Sequence, residues 1–251
     1  MIPSDALKTL LLALADDDLI MGHRASEWTG MGPLLEADLA LSSMAQDEMG
    51  HALLFYTLLE QLGEADPDTL VYYRGPSDYR NAILCELGRS DWGETVMRHF
   101  LYDLAEQIRL NALAKSTYQP LAAIARKIRP EERYHMLHGT TWLKRLGQGT
   151  EESHQRMQHA LDKLLPYALG LWEPIPGEEM LVADCIMPPS TELRDSWFEA
   201  VTNALAGTFR LPPLAQIVAI EGGRQGTHSA ELTQLLDAMQ LLHRQIPGAT
   251  W

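Results

Sequence analysis

The chain has 251 residues, enough for one sizeable hydrophobic core and too short to require two domains. Hydrophobic residues make up 46% and charged residues 22%, as in an ordinary soluble globular protein, and a net charge of −14 excludes a general electrostatic attraction for nucleic acid or anionic membranes. Aromatic residues are scarce, at 7%, a balance that favours helices over sheets.

Helical periodicity runs along the chain. The first segment predicts a helix over about 4–26, with Ser4 as its N-cap and Leu7, Leu11, Leu14, Asp18, Met21 and Ala25 on one stripe. Thr29-Gly30-Met31-Gly32-Pro33 ends that pattern. A second helix, about 34–62, carries Leu41, Ala45, Glu48, Ala52, Phe55 and Leu59 and stops at Gly63. Residues 64–92 hold Pro67, Gly75 and Pro76 and read as irregular, apart from one short helix near 81–87.

The third helix, about 93–116, has Val96, His99, Asp103, Glu106, Leu110 and Leu113 on its stripe. Pro120 opens the fourth, where Leu121, Ala125, Ile128, Glu132, His135 and Gly139 share a face. Pro130 removes one helical hydrogen bond and predicts a kink just before Glu131 and Glu132. Further helices are expected at 151–171, 190–206 and 228–244, followed by the tail 247–251. The whole reads as one all-α domain, 1–251. Hairpins 4–62 and 93–146 form a four-helix bundle with additional C-terminal helices.

Cys85 and Cys185 form neither a metal or redox motif nor a disulfide framework, which fits a reduced compartment. The apolar run at Leu10 to Leu14 meets Asp16, Asp17 and Asp18, unlike a secretory leader, and no apolar run reaches the ~18–20 residues that span a bilayer. These features predict a soluble, cytoplasmic protein.

The chemistry lies in an internal echo. Asp47-Glu48-Met49-Gly50-His51 and Glu131-Glu132-Arg133-Tyr134-His135 both read acid-Glu-x-x-His. A spacing of three places Glu and His on one helix face. A single such motif more often marks a solvated helix face. Here each hairpin also puts a lone acid, Asp18 or Glu106, on the apolar stripe of its other helix. The interval from Glu106 to Glu132 is four residues shorter than that from Asp18 to Glu48, as the roughly four-residue shorter turn of the second hairpin requires for one shared level. Ionised carboxylates on a core stripe are costly unless paired or bound to metal, and no Lys or Arg is seen on these stripes nearby. Asp18, Glu48, His51, Glu106, Glu132 and His135 are therefore the expected ligands of two metal ions in a ferritin-like fold, with iron first and manganese as the alternative.

Asp47 and Glu131 are expected to accept the outer N–H of the histidine on the opposite hairpin. Asp103, one turn before Glu106, is its rival as a ligand, while Asp16 and Asp17 rival Asp18 from off the stripe. His99 and His138 read as polar residues of a second layer, and Tyr56 and Tyr134 as packing residues near the site. The alternative throughout is a metal-free scaffold in which the acids are protonated or hydrogen-bonded.

At these residues the chain resembles the C-component family of the phenylacetyl-CoA epoxidase complex, a multicomponent monooxygenase of phenylacetate degradation. The resemblance spans essentially the whole chain. It is carried by Ser26-Glu27-Trp28, Arg133-Tyr134-His135, Trp142-Leu143-Lys144-Arg145-Leu146-Gly147, Gly222-Gly223-Arg224-Gln225-Gly226-Thr227-His228 and the tail from Pro247-Gly248 to Trp251. It implies a ferritin-like component that pairs with a homologous catalytic A component, which carries the di-iron centre and binds acyl-CoA, alongside the other components of the oxygenase. Association as a homodimer is the alternative. The reaction it implies is reductive activation of O2 and delivery of one oxygen to an aromatic ring. The C component is regarded in this family as structural, with a degenerate metal site, whereas all six candidate ligands are present here. A ferroxidase or iron-storage protein would share the four-helix site, but the helices beyond 151 argue against a minimal storage cage.

Overall fold

The computed structural model describes residues 5–246. The Ser4 cap and the tail 247–251 lie outside the described residues. In chain order the helices are α1 (Asp5–Ser26), α2 (Leu35–Gln61), α3 (Pro67–Tyr72), α4 (Ile83–Glu86), α5 (Trp92–Leu113), α6 (Gln119–Gly147), α7 (Glu151–Leu169), α8 (Glu178–Ala183), α9 (Ser190–Leu205) and α10 (Ala230–Gln245). No strand occurs among the described residues, and the architecture is an all-α, ferritin-like bundle.

α1 packs along α2 and α5 along α6, and α2 meets α6 to close the bundle. The hairpins differ in what covers them. α1 is buried without a break from Ala13 to Gly22, because α4 and α8 pack on it as well as α2. α5 is likewise buried from Thr95 to Glu106 beneath α6, α7 and α9. The partly amphipathic α2 and α6 each keep an outer face in solvent, on which Leu35, Leu39, Leu53, Tyr134 and Leu137 are exposed. None of the described helices is long and apolar enough to cross a membrane.

Two short helices lie where irregular chain was expected. α3 begins at an Asp66-Pro67 pair: the Asp66 carboxylate accepts from the Thr69 N–H at 3.0 Å, and Pro67 fits the first turn because it needs no donor there. The signal was present, but Pro67 reads equally well as a breaker. α8 starts after Gly177 in a left-handed conformation. The expected short helix at 81–87 is a single turn, α4. α6 runs through Pro130 unbroken, with that residue on its exposed side, where water can reach the freed carbonyl.

The stretch from Gly222 to His228 is a lock between the 77–86 segment and α1. A side chain at Gly223 would run into the carbonyl of Asn81, and Gly226, at φ +79°, sits against the carbonyl of Ser77. Arg224 inserts into the core and holds Asp17 through two contacts, at 2.6 and 2.9 Å. His228 Nδ1 lies 2.8 Å from buried Glu86.

Candidate metal centre

Asp18 of α1, Glu48 and His51 of α2, Asp103 and Glu106 of α5, and Glu132 and His135 of α6 are all buried in the bundle. Small residues let the helices approach there. A Cβ on Gly22 would stand 2.9 Å from the Glu48 Cβ and 3.0 Å from the Ala45 carbonyl, so α1 touches α2 beside the site. Gly139 faces Phe100 and Asp103 at ordinary contact distance.

Two triads have ligand atoms within 4.8 Å of one another: Asp18, Glu48 and His51, and Glu48, Asp103 and His135. Glu48 belongs to both. Its oxygens lie 3.8 Å from His51 Nδ1 and 3.6 Å from His135 Nδ1. Glu132 Oε1 lies 3.4 Å from each of the same two nitrogens. Both glutamates therefore sit between the two rings, whose centroids are 6.2 Å apart.

The outer ring nitrogens meet acids across the hairpins. His51 Nε2 is 2.7 Å from Glu131 Oε2, and His135 Nε2 is 3.3 Å from Asp47 Oδ2. With Nε2–H donating to these carboxylates, each Nδ1 lone pair faces inward, the orientation a metal-ligating histidine requires. Tyr102, which periodicity does not single out, donates its hydroxyl to Asp18 at 2.8 Å.

Both oxygens of Glu48, both of Asp103, Glu132 Oε2 and His135 Nδ1 are buried without a hydrogen-bond partner. Groups of this kind cost several kcal/mol each when left uncompensated. Their convergence, and the mixture of carboxylate and imidazole donors, fits a divalent transition-metal pair. The proton affinities reflect the same crowding. Burial drives the Asp18 and Asp103 carboxyls well above their usual range and raises Glu132 to about 7. Glu48 is the exception. Burial also acts to raise it, but His135 and His51 outweigh that and hold it at about 2. His51 rises to about 9 against its own burial, through Glu48 and Glu132.

One expectation needs correcting: basic residues do reach these acids. Arg109 Nη1 donates to Glu106 Oε1 at 2.6 Å and to Asp17 Oδ2 at 3.3 Å, while Arg224 also pairs with Asp17. Asp16 is likewise buried, bound by Arg74 and by the Tyr56 hydroxyl at 2.5 Å. Arg109 lies one turn after Glu106, beside the stripe position Leu110. Arg74 and Arg224 arrive from segments whose position no periodicity reveals. Glu106 is therefore ion-paired and stands outside both triads, whereas Asp103 stands within one. Tyr134 is half exposed, and Tyr56 serves Asp16 rather than the centre. His99 and half-buried His138 have no hydrogen-bond partner on any ring nitrogen, and burial lowers them to about 3 and about 4.

The chain is similar to known proteins along most of its length. The family model described as phenylacetic acid catabolic protein matches residues 3–251. The C component of the 1,2-phenylacetyl-CoA epoxidase of Escherichia coli (strain K12) is 33% identical over 246 residues, 98% of this chain and 99% of that protein. The A component of the same organism's 1,2-phenylacetyl-CoA epoxidase is 28% identical over 178 residues, 68% of this chain and 56% of that protein. Matched along nearly its whole length, the chain belongs to the phenylacetic acid catabolic protein family.

Proposed function

We propose that this chain is the C component of a cytoplasmic 1,2-phenylacetyl-CoA epoxidase, working beside a homologous A component and holding a dinuclear iron centre of its own. The full-length likeness to a C component and the partial likeness to an A component support the assembly. The metal centre rests on one observation: unpartnered, buried ligand atoms from α2, α5 and α6 converge beside Asp18 of α1. Manganese suits the same donors.

Asp18, Glu48, His51, Glu132 and His135 would hold the metals together with one acid of α5. A ferrous pair there would supply the electrons and open coordination positions for reductive activation of dioxygen. The chain's own residues orient and insulate. Asp47 and Glu131 fix the imidazole tautomers, Tyr102 steadies Asp18, and the surrounding bundle excludes bulk water. The exposed Leu39, Leu53 and Leu137 on α2 and α6 offer an apolar face to the partner protein.

The test is metal analysis of the purified chain and of Glu48→Ala/His51→Ala. About two ions per wild-type chain and about none in the variant are expected; a metal-free wild-type chain would leave a scaffold only. In the reconstituted complex, a large loss of epoxidation in the same variant would give the centre a part in turnover. Unchanged epoxidation would confine it to structure.

A further inference from the structure

We infer that Asp103, not Glu106, is the α5 ligand of this centre, and that Arg109 decides between them. The inference rests on the dinuclear reading above and specifies it.

The two acids are one turn apart on α5 and equally enclosed, so burial does not separate them. Their partners do. Asp103 has no hydrogen bond on either oxygen, and it shares a triad with Glu48 and His135. Glu106 is held by the Arg109 guanidinium at 2.6 Å.

Arg109 is not free to leave. It also donates to Asp17 at 3.3 Å and to the Leu171 carbonyl at 3.2 Å, and it lies over the Trp172 ring, 5.4 Å from its centroid. Asp17 is itself fixed by Arg224 and by the N–H of Ala82 at 2.7 Å. A guanidinium stays charged at any ordinary pH. A permanent cation at hydrogen-bond distance from Glu106 repels a metal dication from that carboxylate.

The charges then balance. Arg109 and Arg224 offset Glu106 and Asp17. Asp18, Glu48, Asp103 and Glu132 remain, four carboxylates for two dications. Were Glu106 the ligand, both Asp103 oxygens would stay buried with no hydrogen-bond partner and Arg109 would lose its closest partner, two costly outcomes at once. Arg109 is thus a positioning residue. It keeps Glu106 off the metals and keeps the site neutral.

The experiment titrates the full metal-free chain with Co(II), following the ligand-field spectrum and the stoichiometry, for wild type, Asp103→Asn and Glu106→Gln. Both substitutions keep side-chain shape, and circular dichroism confirms folding. Wild type should take up two equivalents, Asp103→Asn one, and Glu106→Gln two with the wild-type spectrum. Arg109→Gln, which releases Glu106, should shift the bands. Loss of an equivalent from Glu106→Gln, or two equivalents retained by Asp103→Asn, would overturn the assignment while leaving the dinuclear centre standing. No uptake by wild type would instead sink the centre itself.

Discussion

Three consecutive aspartates on α1 have three different fates. Asp16 is neutralised by Arg74, Asp17 by Arg224 and Arg109, and Asp18 has only a tyrosine hydroxyl. The acid left without a cation is the one facing the centre. In the metal-free chain this arrangement has a measurable consequence. His51, ordinarily near 6.5, rises to about 9, so the stability it contributes is full below about 6.5 and is lost as pH climbs through about 9. Glu132, raised by burial to about 7, favours the protonated folded state and also loses stability over that climb. Glu48, held at about 2, opposes them only below about 4.5. The melting temperature of the metal-free chain should fall by several degrees between pH 5 and pH 9. Saturating Co(II) should flatten that slope at the alkaline end. Thermal melts across pH check this, and a metal-free profile that rises toward pH 9 would contradict it.

At the scale of the elements, the centre depends on how closely α1 and α2 approach. The acid-Glu-x-x-His motifs put their ligands on one face of α2 and of α6 by periodicity alone. Depth is set by packing at Gly22, where the glutamate Cβ of α2 fills the space of a missing side chain. Gly22→Ala should push the helices apart by a few tenths of an ångström. An overpacked core of this kind costs about 1–3 kcal/mol, and Co(II) should bind more weakly because Asp18 retreats from Glu48. Chemical denaturation and metal titration measure the two effects separately. Unaltered stability with unaltered affinity would show that the contact yields without cost.

For the molecule as a whole, the C-terminal third is not an appendage. Arg224 carries the segment after Gly222 into the core, α9 covers α5, and the 170–172 turn meets Arg109 of α5. Removing one partner of a buried ion pair strands the other charge, at a cost of about 3–5 kcal/mol. Arg224→Met should therefore lower the unfolding free energy by about that much, and it should unsettle Glu106 through Asp17 and Arg109. A variant as stable as wild type in urea would mean that Arg109 alone suffices for Asp17.

The sequence by itself determined the helices, the pairing of two hairpins and the six polar residues on their core stripes. All of these follow from periodicity within one helix, a local property that survives without coordinates. Only the tertiary structure decided which acids stay free of cations. Arg74 lies 58 residues from Asp16, and Arg224 lies 207 from Asp17. No local pattern encodes which distant guanidinium reaches which carboxylate. Between Asp103 and Glu106, which share a stripe, periodicity favours neither chemically; Arg109 is only three residues from Glu106, but what holds it there is Asp17, 92 residues away.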